Sequence, residues 1–571
     1  MRPAGAPAPL RAWPALALAL LVAAPAAAAN PEIRCLRASG KATLRCLERT
    51  LDAVEGCRRR GDAPCEEALR AEGGALEALL AEPDAPIAKR CGAEDAVVLG
   101  YTSLGDVALR AREACTDFAE EHLDLTWVDD VAALGPDDLA CQGLVAKELG
   151  KLRRKAVAAF GRKCALERAR GRTCKTDRRD VRLGKLRART LAKLASKCSL
   201  PELTDDLEAR VDAILLRAEH LGLRAYPPND LGPAADFGPF PIGVRTLELA
   251  DPARGHVDDP LEPRPVRVEI YYPSTAEAVE GLPGDVVQVF AIPVVETPAF
   301  RDVAIAPGTF PIVLFSHGNG GIRFQSFFFA AHLASHGFVV LSPDHHGNNL
   351  IDAIAGVEDA DAALNRPLDM SFLIDQAEAL SALPGGLFEG ALDTGAIGMS
   401  GHSFGGYTAL ALAGGLFSGG TFTDPRIRAI LPQAPASGFF DDGFFATITI
   451  PTLIVGGSID ATTPFATDQQ RAFDLMEAGA SPVALAGLEQ AGHFTFSDFC
   501  EVPREILAFA FADGFAEACE PRHLPWRHAH DIVNFLSLHF FDATLRGSAA
   551  ALAELEANRL AAIEGLTWQA K

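Results

Sequence analysis

Gly401-His402-Ser403-Phe404-Gly405 stands directly after the apolar run Ala396–Ser400 and directly before the small-residue stretch Gly405-Gly406-Tyr407. A G-x-S-x-G pentapeptide alone is a weak signal in a chain with 51 glycines. Between a strand and a helix it gains a mechanical meaning. Glycines at both ends permit a sharp turn in which larger side chains would clash, and the turn lifts the serine hydroxyl out at the sheet edge. Ser403 is therefore the candidate nucleophile, with a structural turn serine as the bland alternative.

Working outward from residue 403, short apolar strands are predicted at Val266–Tyr272, Ile312–Ser316, Phe338–Ser342, Ile397–Ser400, Thr452–Val455 and Val483–Leu488. Helical patterns lie between them, at Phe327–Ser335, Met370–Ala382, Gly406–Ala413 and Ala466–Ala478, and a C-terminal helix takes in His528 to His539. Strands alternating with helices predict an α/β fold with a mostly parallel central sheet covered on both faces. Functional groups in such sheets collect at the carboxyl ends of the strands.

A serine hydroxyl needs a base to take its proton, and the base needs a carboxylate to orient it. Asp460 ends the run Pro451-Thr-Leu-Ile-Val-Gly-Gly-Ser-Ile-Asp460, and His493 stands in a loop after Val483–Leu488. The competing acids Asp441 and Asp442, and the competing bases His523, His528, His530 and His539, lack this strand-then-loop setting. An oxyanion would need backbone N–H donors. One is expected from Phe404. The other is expected from the loop Ser316-His317-Gly318-Asn319-Gly320-Gly321, with Asn319 the choice and Gly318 or Gly320 the alternatives. No Gly-Lys-Ser/Thr follows that loop, so a phosphate loop is disfavoured. Asp344-His345-His346 invites a metal reading, but adjacent side chains diverge and no further ligands are evident, so it reads as a polar strand-end loop.

Six stretches taken together carry a family resemblance. They are Ser316-His317-Gly318-Asn319-Gly320, the run His332 to Val340, Ser342-Pro343-Asp344-His345, Arg366-Pro367-Leu368-Asp369, Gly401 to Gly406, and His493 to Phe499. The combination resembles the platelet-activating-factor acetylhydrolase and dienelactone-hydrolase-like branch of the α/β-hydrolases, and is similar to secreted cutinase-like polyester hydrolases. The likeness covers roughly residues 240 to 545. It implies a cofactor-free Ser-His-Asp carboxylester hydrolase acting on short or oxidised acyl chains, with the chain order Ser403, Asp460, His493 that such folds use. A small-molecule or lipid ester such as a platelet-activating-factor-like lipid is then the expected substrate; a polyester, or a non-catalytic role in binding an anionic surface, are the alternatives. Ser403 stands where true dienelactone hydrolases carry cysteine, which counts against their substrate.

The chain has 571 residues and a net charge of −22, enough for two or three domains and poorly suited to nucleic acid. Residues 1–29 read as a cleaved leader: Arg2 and Arg11 precede the apolar stretch Ala15–Val22, and Ala27-Ala28-Ala29 supplies small residues for cleavage. No later segment looks long enough to span a membrane, so a secreted or periplasmic protein is expected. Ten of the 12 cysteines lie between Cys35 and Cys198, within a stretch rich in Ala, Leu, Arg, Lys and Glu. Residues 30–220 are therefore expected to form a disulfide-rich all-α domain ahead of the catalytic domain at 221–571. Cys500 and Cys519 are expected to bond to each other, closing a loop beside His493. Leu149-Gly150-Lys151-Leu152-Arg153 recurs as Leu183-Gly184-Lys185-Leu186-Arg187, and cysteine spacings of 23 and 24 suggest stapled helical hairpins. Between Cys141 and Cys198 there are 19 Lys and Arg against 4 Asp and Glu. That basic segment would suit an anionic surface, although a solvated or internally docked helix face is the plainer reading.

Overall fold

A computed structural model describes residues 31–60, 63–71, 73–92, 104–128, 134–160, 176–198, 206–225, 231, 234–235, 237–289, 292–417, 420–478, 481–502, 516–519, 523–560, 563 and 565–571. The expected leader, Cys164, Cys174 and the stretch Tyr226-Pro227-Pro228 lie outside them.

The C-terminal region is built on a ten-stranded sheet. In spatial order its strands are Leu566–Ala570, Val483–Leu488, Thr452–Gly457, Ile427–Gln433, Leu392–His402, Phe310–Ser316, Val339–Asp344, Pro263–Pro273, Ile242–Gly255 and Ala299–Arg301. The six from Val483–Leu488 to Val339–Asp344 run parallel, and antiparallel pairs flank them on both sides. Because side chains alternate across a strand, Ile312 and Leu314 enter one core with the helices Ala362–Ala382 and Phe404–Ala413. Val313 and Phe315 enter the other, against Phe327–Ser335 and Trp526–Leu545. The sheet is thus buried on both faces, which explains the near-continuous apolar runs of its central strands.

Several elements depart from expectation, the edge strands Ala299–Arg301 and Leu566–Ala570 among them. The strands Ile427–Gln433 and Ile242–Gly255 were not predicted; Arg428 and Pro432 interrupt the apolar run of the first. The helix expected from Met370 begins at Ala362 and carries Pro367 inside it. Proline cannot donate to the carbonyl four residues earlier. Here that carbonyl, Ala363 O, accepts from the Tyr407 hydroxyl at 3.0 Å, so the missing bond is replaced.

The N-terminal region is helical, with long helices at Pro31–Arg58, Leu104–Thr126, Pro136–Val157, Thr176–Ala195 and Leu207–Ala225. The last runs five residues past the expected boundary at 220. Disulfides join Cys35 to Cys91, Cys46 to Cys115, Cys57 to Cys65 and Cys141 to Cys198. None of these pairs uses the 23- or 24-residue spacing; three instead tie elements 56, 69 and 57 residues apart. The internal repeat falls on Pro136–Val157 and Thr176–Ala195, where Leu149, Leu152 and Leu183 are buried. Among the described residues, five cations of the basic segment have carboxylate partners. Buried Arg153 donates to Glu48 (2.6 Å), Arg154 reaches the same carboxylate (2.8 Å), Lys151 and Lys193 share Glu148, and Arg187 meets Glu208 and Asp212. Among the described residues no helix is long and apolar enough to cross a membrane.

Candidate active site

Ser403 occupies the turn between the strand Leu392–His402 and the helix Phe404–Ala413, with φ 58° and ψ −115°. That left-handed backbone is strained for a residue with a Cβ and is typical of functional turns. The two glycines have a steric reason. A Cβ on Gly405 would lie 1.8 Å from the Ser316 carbonyl oxygen, and one on Gly401 would lie 2.5 Å from Gly405 O. Only bare backbone lets the helix close this tightly onto the neighbouring strand.

The three polar residues expected to act together meet here from three strand ends. Ser403 Oγ lies 2.9 Å from His493 Nε2, and Asp460 Oδ2 lies 2.8 Å from His493 Nδ1. All three are buried. Asp460 is itself held by the Thr462 and Thr463 N–H groups at 2.9 and 2.8 Å, and the Thr463 hydroxyl donates to Asp460 Oδ2 at 2.9 Å. The carboxylate can therefore accept the Nδ1–H of His493 only from a fixed direction, which leaves Nε2 to face the serine.

His402 ties these loops together. It sits inside the pentapeptide, where its Nε2–H donates to His493 O at 2.9 Å and its Nδ1 accepts from Gln325 Nε2 at 2.9 Å. Gln325 Oε1 in turn accepts the Gly318 N–H at 3.1 Å. That commitment removes Gly318 as an alternative oxyanion donor. The glycine loop nevertheless lies against the serine, since a Cβ on Gly318 would sit 3.5 Å from Ser403 Cβ. Asn319 is exposed beside it, and its side-chain oxygen accepts from Asn348 Nδ2 at 2.8 Å. Phe404 is the first residue of its helix, so its N–H has no intrahelical acceptor.

Sequence reasoning missed the support behind these loops. Arg366 is fully buried and donates to Ser316 Oγ (2.9 Å), Asn348 Oδ1 (2.6 Å) and the His317 carbonyl, while its guanidinium lies 4.8 Å from the Phe404 ring centroid. Beneath it, His345 bridges Ser316 Oγ and Asp369 Oδ2, each at 2.9 Å, and Asp369 accepts from Arg264 at 2.8 Å. Although Ser316, His345 and Asp369 imitate a catalytic order, Ser316 is inaccessible and already accepts from Arg366, so this is a buried brace. The motifs that contain Ser316, His345 and Arg366-Pro367-Leu368-Asp369 carried the hint of it in the sequence. Asp344, His345 and His346 point to different partners, Arg323, Asp369 and Asp352, and the described residues hold no group of side chains suited to a metal. Of the competing acids and bases, Asp442 pairs with Arg471, and His530 stacks on Phe328 while donating to Thr495 O.

The histidine loop is anchored on both sides. The buried Asp498 accepts from Phe328 N at 2.8 Å and its own N–H donates to Gln325 O, and burial raises its carboxyl well above the usual range. Cys500 and Cys519 form a disulfide just beyond.

Burial also keeps several imidazoles neutral. It pushes His345 and His530 down to about 3, and holds His317 and His402 well below their ordinary value. Each folded value lies below the unfolded value near 6.5, so the unfolded chain binds protons that the fold refuses. The stability these groups contribute is complete above pH ~6.5 and is lost as pH falls from there toward ~3. Asp498, Asp344 and Glu55, whose carboxyls burial raises, act in the opposite sense, whereas the lowered carboxyls of Asp369 and Asp424 act with the imidazoles. The melting temperature should therefore hold between pH 8 and 7 and decline steadily below pH 6.5. A constant or rising melting temperature from pH 6.5 to 4.5 would contradict this.

Comparison with known proteins finds similarity over the stretch that contains these residues. Residues 304–503, which contain Asn319, Ser403, Asp460 and His493, match a family model described as PET hydrolase-like. Over 199 residues the chain is 27% identical to Cutinase 1 of Thermobifida cellulosilytica, covering 35% of this chain and 64% of that protein. It is equally similar to a cutinase of Thermobifida fusca, covering 56% of it. The match thus spans less than two thirds of these relatives. A solved ferulic acid esterase from Streptomyces cinnamoneus aligns with a TM-score of 0.42 and 21% identity, over 58% of this chain and 97% of that one. The mostly parallel sheet with its serine turn is α/β-hydrolase-like, and residues 304–503 are similar to the PET-hydrolase-like proteins and the cutinases.

Proposed function

We propose that this protein is an exported carboxylester hydrolase that works through an acyl-enzyme on Ser403, and that its substrates are polyester-like or similarly extended aliphatic esters. Ser403 Oγ attacks the ester carbonyl carbon while His493 Nε2 takes its proton. The tetrahedral oxyanion sits between the N–H groups of Phe404 and Asn319. The proton on His493 then passes to the leaving alcohol as the C–O bond breaks, and water activated by His493 releases the acid. The observation that carries this reading is the unbroken chain from Ser403 through His493 to Asp460, at 2.9 and 2.8 Å.

The choice of a polyester over a platelet-activating-factor-like lipid rests on two supports. The similar proteins are cutinases and PET-hydrolase-like proteins. The surroundings are also open and apolar: Phe439 is 56% exposed with its ring 5.6 Å from that of Phe404, and Ile459 beside Asp460 is 37% exposed. Exposed apolar groups around a reactive centre suit a substrate presented as a surface. The disulfides support an oxidising compartment. A fluorophosphonate probe should label Ser403, and the protein should erode an aliphatic polyester film and cleave short nitrophenyl esters, with no preference for an sn-2 acetyl phospholipid. Absence of labelling would favour a non-catalytic binding protein. Strong preference for the phospholipid would restore the lipid reading.

In this scheme Arg366 is a positioning residue, because one guanidinium touches Phe404, His317 O and, through Asn348, Asn319. Lysine cannot reproduce that planar fork. Arg366→Lys should lower kcat by about tenfold to a hundredfold, the scale of a weakened oxyanion donor, with KM little changed. A rise in KM at unchanged kcat would assign Arg366 to substrate binding instead.

A further inference from the structure

The N-terminal helical region holds a groove of about 740 Å³ that the esterase chemistry does not use. One wall is a single face of the helix Pro31–Arg58, where Arg34, Arg37, Lys41 and Arg45 follow one another at steps of three or four residues. Such steps place side chains in a row, about 5–6 Å apart. Lys89 and Arg90 form the opposite wall. The floor is Ala38, Ala42, Ala85 and Pro86, all short. Arg49 closes one end and is paired with Glu82, the one carboxylate among the described lining residues. Among the described residues the other six cations have no carboxylate partner, in contrast to Arg153, Arg154 and Arg187 of the basic segment. The Cys35–Cys91 disulfide pins the two walls together, so the groove is preformed rather than assembled on contact.

We propose that this groove binds a linear polyanion, specifically a polysaccharide bearing a carboxylate on successive sugars. The row from Arg34 to Arg49 extends about 22 Å at the helical rise, too long for a single small anion. Its spacing is comparable to the advance of one sugar ring. Among the described residues no aromatic side chain lines it, so they offer none of the stacking platforms by which single-stranded nucleic acid is held. Among the described residues no large apolar side chain rims it, so they offer none of the anchors of a membrane-surface helix. Such binding would tether the esterase near its ester, raising the effective concentration of each for the other.

The full-length protein is titrated with polygalacturonate, its fully methyl-esterified form, inorganic polyphosphate and phosphatidylglycerol vesicles. Binding to polygalacturonate, weakened by salt and absent for the methyl ester, is expected. The variant Arg37→Gln/Lys41→Gln/Arg45→Gln should bind roughly tenfold more weakly, since each exposed ion pair contributes a factor of a few. Glu82→Gln should bind more tightly, and Arg182→Gln/Lys185→Gln/Arg189→Gln in the basic segment should be unchanged. All three should cleave a nitrophenyl ester at the wild-type rate, which shows that they are folded and separates this site from the hydrolase reading. Equal affinity for the methyl ester, tighter binding to polyphosphate or vesicles, or full affinity in the groove variant would overturn the proposal.

Discussion

Ser403→Ala is expected to fold normally and to lose turnover by about 10⁶-fold, the scale found when a triad serine is removed. The side chain of Ser403 makes one hydrogen bond, to His493, and alanine suits the strained turn no worse than serine does. No intermediate forms without the hydroxyl, so the residual rate reflects only binding and the oxyanion donors. The check is steady-state hydrolysis of a nitrophenyl ester together with intact-mass detection of the acyl-enzyme. Retention of more than a few per cent of wild-type turnover would dismiss Ser403 as the nucleophile.

Asp460→Asn carries the second largest expectation, a fall in kcat of about 10⁴-fold with the fold intact. The Thr462 and Thr463 N–H groups bond Asp460 Oδ1 and would hold an asparagine oxygen equally well. That orientation points the new amide NH₂ at His493 Nδ1. Facing a donor, the imidazole must carry its proton on Nε2, where it can no longer accept one from Ser403. The same variant should label slowly with a fluorophosphonate while binding a non-reactive ester analogue as wild type does. Wild-type labelling would transfer the orienting role to another group, and Thr463, whose hydroxyl lies 3.2 Å from His493 Nδ1, is the next candidate.

Much of the catalytic region was legible because its signals are local. Strand, sharp turn and helix follow one another within some twenty residues around Ser403, and the runs before Asp460 and His493 are short and apolar because their strands are buried on both faces. The strand Ile427–Gln433 was missed for the converse reason: its place between two parallel neighbours tolerates Arg428 and Pro432, which local propensity reads as interruptions. The helix around Pro367 was cut short for lack of knowledge that Tyr407, forty residues later, would satisfy Ala363 O.

The amino-acid sequence by itself determined the α/β class, the serine turn and the residue types able to activate it, since these depend on periodicity, glycine sterics and chemical character. Tertiary structure alone decided what those residues touch. It aimed His493 between Asp460 and Ser403 while Asp442 paired with Arg471, committed the Gly318 N–H to Gln325, and placed Arg366 against both loops beside the serine. It also gathered, in the N-terminal groove, cations without a carboxylate partner among the described residues, from segments other than the basic one that charge counting had singled out. Net charge along a chain is additive and can be read from composition. Whether a given charge is neutralised depends on distances of a few ångströms between residues far apart in sequence, and those are set only when the helices pack.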